Sequence, residues 1–459
     1  MPSTVTESLI FRDMFGTAAM RSVFADEALV RRYLEVEVAL ARAEAATKVI
    51  PVDAADAIAA AASHMHIDFD RLRHQTEITG YPIIAIVHQL AEASGAAGGY
   101  VHWGATTQDI MDSATVLQVR AALDIVAADL LELRDILAGL ALKHRDTPMA
   151  GRTHLQQALP ITFGYKVAVW LSMIERHIER LEQMRPRVLL GQFAGAAGTL
   201  ASLGADGLKV QAAFCELLGL GRPSATWHVA RDGLAEVVSF LGLVTGSLGK
   251  IATDVMILMS TEFAEVAEPF VKGRGGSSTM PQKRNPISSE LMLAAAKAVR
   301  QHVALMLDGM VQDLERATGP WHAEWIAIPE SFILTGGALA QAKFMLGGLI
   351  VDAGRMRDNL AISGGLIVAE AVMMAAAPKL GRQHAHDVVY DACRSAVTHK
   401  RHLADVLIEM PEIVDALGGA AAIRHHCDPA NYLGLAPQMV DHMLSQLKGS
   451  AVAGRSGPR

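Results

Sequence analysis

Aromatic residues are scarce in this sequence, 5% of 459 positions, and charged residues make up only 19%. With alanine, leucine and methionine abundant instead, helix is favoured over strand. Cysteine is nearly absent. Cys215, Cys393 and Cys427 stand far apart, which argues against a disulfide framework and suits a reducing cytosol, so a cytoplasmic protein is expected. There is no basic excess: the net charge is -7 and the pI near 6.2, so no nucleic-acid partner is expected. The N-terminus lacks a basic stretch followed by a long apolar run, and no secretory signal is read there. No window of about 18 residues is free of charges and strong polars, so no membrane span is expected. No internal repeat is evident.

Apolar residues are plentiful, at 51%, and mean hydropathy is +0.26. That excess is read as helix faces buried in a bundle and between subunits. The helical pattern is interrupted most sharply at Gly273-Arg274-Gly275-Gly276-Ser277-Ser278-Thr279-Met280-Pro281-Gln282-Lys283-Arg284-Asn285-Pro286. Three glycines in four residues permit backbone rearrangement. Pro281 and Pro286 limit where a helix can resume. Between them stand hydroxyls, a lysine, an arginine and an asparagine. Composition alone allows either a solvated hinge or a mobile loop holding a nucleophile or base among anion donors.

Along the chain, helices are predicted from about Glu27 to Thr47, from Pro51 onward, and over Asp68–Leu90 with a break at Gly80-Tyr81-Pro82. Next comes Val101-His102-Trp103-Gly104-Ala105-Thr106-Thr107-Gln108-Asp109, just ahead of a long helix predicted from Ile110 to Arg145. A helix N-terminus with hydroxyls and an amide can hold an anion, or Thr107 or Asp109 can simply cap it. Gly151-Arg152-Thr153-His154-Leu155-Gln156-Gln157 is predicted to open the following helix, which runs to about Arg185. His154 has a side chain suited to proton transfer near neutrality. Small residues at 190–204 read as a close-packed turn. A buried helix is expected over 234–267, another over 287–314, an acid-rich aromatic turn at Trp321-His322-Ala323-Glu324-Trp325, and a further helix over 328–357. His425-His426-Cys427 is too compressed for a metal site. The Gly/Ser/Arg-rich tail from Gly449 to Arg459 is expected to be disordered. No convincing run of strands appears.

Gly276 to Pro286 resembles the G-S-S-x-M-P-x-K-x-N-P signature of the fumarase/aspartase superfamily. The segments at 102–109 and 151–156 resemble its other two signatures, in the expected order. The 321–325 segment, Gly381–His386 and Asp428–Gly434 are most similar to the 3-carboxy-cis,cis-muconate cycloisomerase branch. The resemblance implies an all-α fold in three parts: 1–110, a long-helix bundle over 111–355, and 356–448. It further implies a homotetramer whose active sites draw on three subunits, a small polycarboxylate substrate, and no metal or organic cofactor. Ser277 would be the base and His154 the proton donor. Substrate contacts would come from His102, Thr106, Thr107, Gln108, Arg152, Thr153, Ser278, Met280, Lys283, Asn285 and Trp321. Bacterial cycloisomerases of this branch carry G-R-T-W where this chain has Arg152-Thr153-His154. A histidine there is what fumarate-releasing lyases use, so β-elimination from a substituted succinate is the expected reaction, with lactonisation of 3-carboxymuconate as the alternative. Adenylosuccinate cleavage and a non-catalytic structural role stand further back.

Overall fold

A computed structural model describes residues 4–316 and 319–453. The fold is all-α. In chain order the elements that matter for function are α1 (Asp26–Ala46), α2 (Val52–His64), α3 (Phe69–Thr79), α4 (Ile83–Ala93), α5 (Thr107–Lys143), β1 (Pro148–Thr153), β2 (Gln156–Thr162), α6 (Phe163–Val188), α7 (Gly207–Leu218) and α8 (Asp232–Met259). They are followed by β3 (Val266–Ala267), α9 (Ile287–Asp308), α10 (Pro320–Gly347), β4 (Ile350–Val351), α11 (Ala353–Ala361), α12 (Ala369–Leu380), α13 (Arg382–His399) and α14 (Ala436–Ala453).

Contacts group the chain into two compact units. The first takes the chain through Leu131 with Arg176–Gly249 and Leu291–Gln341; the second takes Glu132–Glu175, Lys250–Glu290 and everything from Ala342. The core of the first unit joins Val36 and Leu40 of α1 to Ile83 and Ile86 of α4, Ile110 and Leu117 of α5, and Phe214 of α7. Gly80 ends α3 with φ 81°, a left-handed cap that glycine adopts without Cβ strain, and Pro82 precedes α4. In the second unit α12 and α13 pack through Val372, Ala376, Val389 and Ala396.

Several sequence expectations are corrected. Residues 148–162 form an antiparallel hairpin, and α6 begins only at Phe163. Pro160 cannot donate an intrahelical hydrogen bond but fits a short strand. α8 stops at Met259 rather than near 267, and the chain then turns into β3, paired with β4. Trp321–Trp325 lies in the first turns of α10, after Pro320 at the start, where a proline needs no N–H. α8 is long and apolar enough to cross a bilayer by length and composition, contrary to expectation; most of that stretch is buried inside the protein. The last helix continues through Ala453, so the tail expected to be disordered from Gly449 begins as helix, and its remainder, 454–459, lies outside the described residues.

Candidate active site

The expected site residues fall into two clusters, one in each unit. In the first, Asp109 at the start of α5 is fully buried and gathers the surrounding backbone. Its carboxylate accepts from the N–H groups of Thr106, Ala194 and Gly195 at 2.9–3.0 Å and pairs with His228 Nε2 at 2.7 Å. This joins the helix start to the small-residue turn at 190–204. Gly195 and Gly198 take φ of 76° and 83° there, a conformation open to glycine. Thr106 Oγ1 accepts from Arg316 Nη1 at 2.8 Å, while Arg316 Nη2 donates to Ala196 O at 2.9 Å. Thr107 begins the helix and is half-buried. Gln108 is 1% exposed, and its amide donates to His228 O at 2.8 Å. That donor is engaged within the protein, while the Gln108 amide oxygen has no partner among the described residues.

His102 holds the left-handed conformation, φ 61°, and its Nδ1 lies 2.6 Å from Glu37 Oε1. Burial lowers the affinity of this imidazole for a proton, but the Glu37 carboxylate more than offsets that and the pKa lies above its ordinary value. Two turns along α1, Glu44 is fully buried with neither carboxylate oxygen partnered among the described residues. Burial, assisted by Glu37, pushes its pKa up to about 9. A carboxyl whose folded pKa is raised favours the folded state at low pH and loses that contribution between about 4.5 and 9. Glu44→Gln, uncharged and of similar shape, is expected to raise the thermal midpoint at pH 8–9 and leave it nearly unchanged at pH 5. Scanning calorimetry at the two pH values checks this.

Trp321 is 3% exposed and packs within the core of the first unit. Its indole N–H donates to Asp112 Oδ1 at 3.2 Å. The same carboxylate accepts from Arg231 Nη1 and Nη2 at 2.7 and 3.0 Å, and Arg231 Nε and Nη2 donate to Glu324 at 2.8 and 2.5 Å. Burial would lower the guanidinium pKa, but Asp112 and Glu324 raise it, so it stays charged. The aromatic and acidic 321–325 segment thus fastens α10 to α5 and α8. Asp109 was read from sequence as a candidate cap of its own helix, but its pairing with His228 was not, and His228, Arg231, Glu324 and Arg316 were not singled out as site or support residues. The side-chain pairs Asp109–His228, Arg231–Asp112, Arg231–Glu324 and Arg316–Thr106 join positions 93 to 210 apart, so local spacing carries no trace of them.

In the second unit, the β1–β2 turn places His154 and Leu155 at its tip with φ of 51° and 65°. Two consecutive left-handed residues are the geometry of a two-residue hairpin turn, usually filled by Asn-Gly. Thr153 and His154 are exposed. Arg152 is not free for a substrate carboxylate: Nη2 and Nη1 lie 2.6 and 3.0 Å from the two oxygens of buried Glu265, with the guanidinium 4.4 Å over the Phe263 ring. Glu265 also accepts from Asn359 Nδ2 at 2.8 Å, so Arg152 anchors the hairpin.

The glycine loop is pinned at its base. Gly275 O accepts from Asn285 N at 2.8 Å, and Gly276 bridges Arg284. Gly275 has φ 69°, and a Cβ there would lie 2.5 Å from Asn285 O. Glu268 caps α9, accepting from Ser288 N at 3.1 Å and from Ser289 N at 2.9 Å. At the tip, Ser277 Oγ accepts from the N–H groups of Met280 at 3.1 Å and Thr279 at 3.3 Å. Ser278, Met280 and Lys283 are exposed and Asn285 is half-buried. Met280, Lys283, Arg284 and Asn285 line a cavity of about 610 Å³ together with Met256, Met259 and Thr261. Gly275→Ala is expected to lower turnover about 10²-fold by displacing this tip, with little change in melting temperature; steady-state kinetics beside calorimetry separates the two effects.

Residues 14–300 match the family model described as Lyase, and residues 365–443 match Adenylosuccinate lyase C-terminus. The chain belongs to the fumarase/aspartase superfamily. Within the superfamily it is 47% identical over 448 residues, 97% of each chain, to the 3-carboxy-cis,cis-muconate cycloisomerase of Pseudomonas aeruginosa. It is 46% identical to trans-aconitate decarboxylase 1 of Mycosarcoma maydis over 95% of this chain and 88% of that one. Identity to the N-acetyl-S-(2-succino)cysteine lyase of Dickeya dadantii is 39%, over 98% and 99% of the two chains. The crystal structure of a fumarate lyase from Mesorhizobium sp. BNC1 superposes with a TM-score of 0.90 at 55% identity, covering 94% of this chain and 98% of that one. The protein is accordingly a superfamily enzyme, a lyase or cycloisomerase.

Proposed function

We propose that this enzyme removes a proton from the carbon beside a substrate carboxylate and expels the β-substituent of a substituted succinate, with fumarate as product. The observation that carries this reading is the loop tip, where two backbone N–H groups converge on Ser277 Oγ. A serine hydroxyl is far too weak an acid to serve as a base unaided. Fixed amide donors and nearby cationic charge favour the alkoxide. Ser277 takes the proton, and the electron pair moves into the adjacent carboxylate as a dianionic aci-carboxylate. Lys283, Asn285 and the helix start at Thr106 and Thr107 are the donors proposed to hold that charge. The pair then returns to form the carbon–carbon double bond as the leaving group departs, and His154 supplies its proton. Ser278, Thr153, Met280 and His102 are proposed to shape the pocket around the substrate.

Support for elimination comes from His154 in place of the tryptophan of bacterial cycloisomerases. It also comes from two relatives, one named a fumarate lyase and one a succinocysteine lyase. Cycloisomerisation of 3-carboxymuconate is the second reading, favoured by the 47% identity to an enzyme of that name. Incubation with N-, O- and S-substituted succinates beside 3-carboxymuconate, followed by ultraviolet absorbance, decides between them. Fumarate formation is expected; loss of muconate absorbance without fumarate would establish lactonisation instead.

We also propose a homotetramer with each site assembled from three subunits. Exposed apolar side chains along the long helices support it, among them Leu131, Leu142, Val169, Leu243, Leu307 and Phe344. Native mass spectrometry is expected to show four chains.

A further inference from the structure

The first unit encloses a second cavity, of about 310 Å³, that the proposed reaction does not use. Its walls come from the segment before α1, from α1 itself, from the α3–α4 turn, and from α5 and α10. Protein interiors seldom leave voids larger than a water, because every unfilled face forfeits dispersion contacts. A void of this size within the range of small-molecule sites therefore asks what fills it.

The chemistry of the walls is specific. Four are aromatic: Phe24, Tyr33, Trp321 and Trp325. Trp321 and Trp325 meet edge to face at 5.3 Å, and Phe24 is backed by Phe332 at 5.6 Å. Tyr33 is only 3% exposed, and among the described residues its hydroxyl has no hydrogen-bond partner. Gln118, 6% exposed, gives its amide N–H to Val23 O and keeps its carbonyl oxygen unpartnered among the described residues. Pro329, also on the wall, has no N–H to offer the carbonyl of Trp325 one turn earlier. A phenol hydroxyl and an amide carbonyl that line the cavity without protein partners are open to hydrogen bonds from whatever occupies it. The one charged wall residue is Glu324, whose two oxygens are already held by Arg231. Among the described residues no cation lines the cavity, so a carboxylate substrate is not what it accommodates.

We propose that this cavity binds a small neutral aromatic molecule bearing a hydroxyl, a simple phenol in size and chemistry. Its ring packs against Trp321 and Trp325, and edge-to-face contact with such rings is favourable. Its hydroxyl donates to Gln118 Oε1 and accepts from the Tyr33 hydroxyl. Of the two tryptophans, Trp325 is 37% exposed and Trp321 is buried. Because Trp321 donates to Asp112 and Glu324 accepts from Arg231, which in turn holds Asp112, occupancy bears directly on the support of α5, whose first residues form the proposed anion site.

Phenol, toluene and benzoate titrated into the intact oligomer, followed by calorimetry and tryptophan fluorescence, test this. Phenol is expected to saturate at one site per chain, with toluene weaker and benzoate not binding. Tyr33→Phe should weaken phenol about tenfold, the scale of one buried hydrogen bond, and leave toluene unchanged. Thr115→Leu, which narrows the cavity from a half-buried wall position, should weaken both. Failure of phenol to saturate, equal binding of benzoate, or affinities untouched by both substitutions would overturn the proposal and leave the cavity to ordered water.

Discussion

Ser277→Ala is expected to reduce turnover by about 10²–10⁴-fold, the range contributed by a positioned general base, while the enzyme folds and melts as before. The hydroxyl sits on a half-exposed loop tip and supports nothing but its own turn, through the N–H groups of Thr279 and Met280. Losing it costs at most a weak local bond. Its effect on kcat should far exceed its effect on KM, because the contribution arises only as the proton moves. Fumarate release measured by ultraviolet absorbance, beside a calorimetric trace, reads both quantities. Ser278→Ala is the control: among the described residues no such pair of amides meets the Ser278 hydroxyl, so a substantial rate should survive. Equal losses in the two variants would remove Ser277 from the role of base.

Arg231→Met is expected to destabilise the enzyme by about 3–5 kcal/mol, the cost of breaking a buried ion pair from one side. The guanidinium is 2% exposed and is shared by Asp112 and Glu324, both at least 95% buried. Without it, two carboxylates remain in the interior with Trp321 Nε1 as the indole donor to Asp112. One of them must then take a proton, so the loss should shrink as the pH falls. The triple replacement Arg231→Met, Asp112→Leu, Glu324→Leu should recover much of the stability, because an apolar set of similar volume removes the uncompensated charges. Urea denaturation of the single and triple variants at pH 5 and 8 gives the comparison. A single variant as stable as the parent at pH 8 would show the network to be dispensable.

The sequence disclosed the helices wherever apolar spacing ran for several turns. Asp26–Ala46 and Thr107–Lys143 lie within a few residues of the spans read from it. It disclosed the loop at 273–286 because glycine and proline punctuate any pattern. The hairpin was missed because Gly151–Thr162 is short and lies between two long helices, although the two prolines Pro148 and Pro160 speak against a helix there. The partners of the polar residues were beyond reach for another reason. Arg152 reads as an anion donor until Glu265, 113 positions away, is seen beside it, and nothing local to Trp321 reveals that Asp112, 209 positions away, takes its N–H. Local pattern reports which groups are present; only the folded chain reports which are already satisfied.

Glu268 gives α9 its N-terminal cap from twenty positions upstream, on the far side of the glycine loop. Beyond that cap, the first turn takes a hydrogen bond from Arg274 Nη2 to Ser288 Oγ at 2.7 Å and one from Glu290 N to Pro286 O at 2.9 Å, both at the ends of the loop and not at its tip. The frame is closed before the door is hung. Residues at the tip can be exchanged, lengthened or rearranged with no tax on the helix that follows. Selection is thus free to revise the chemistry at the loop tip while the scaffold beneath it stands still, and one helical architecture can be carried from one acid substrate to the next.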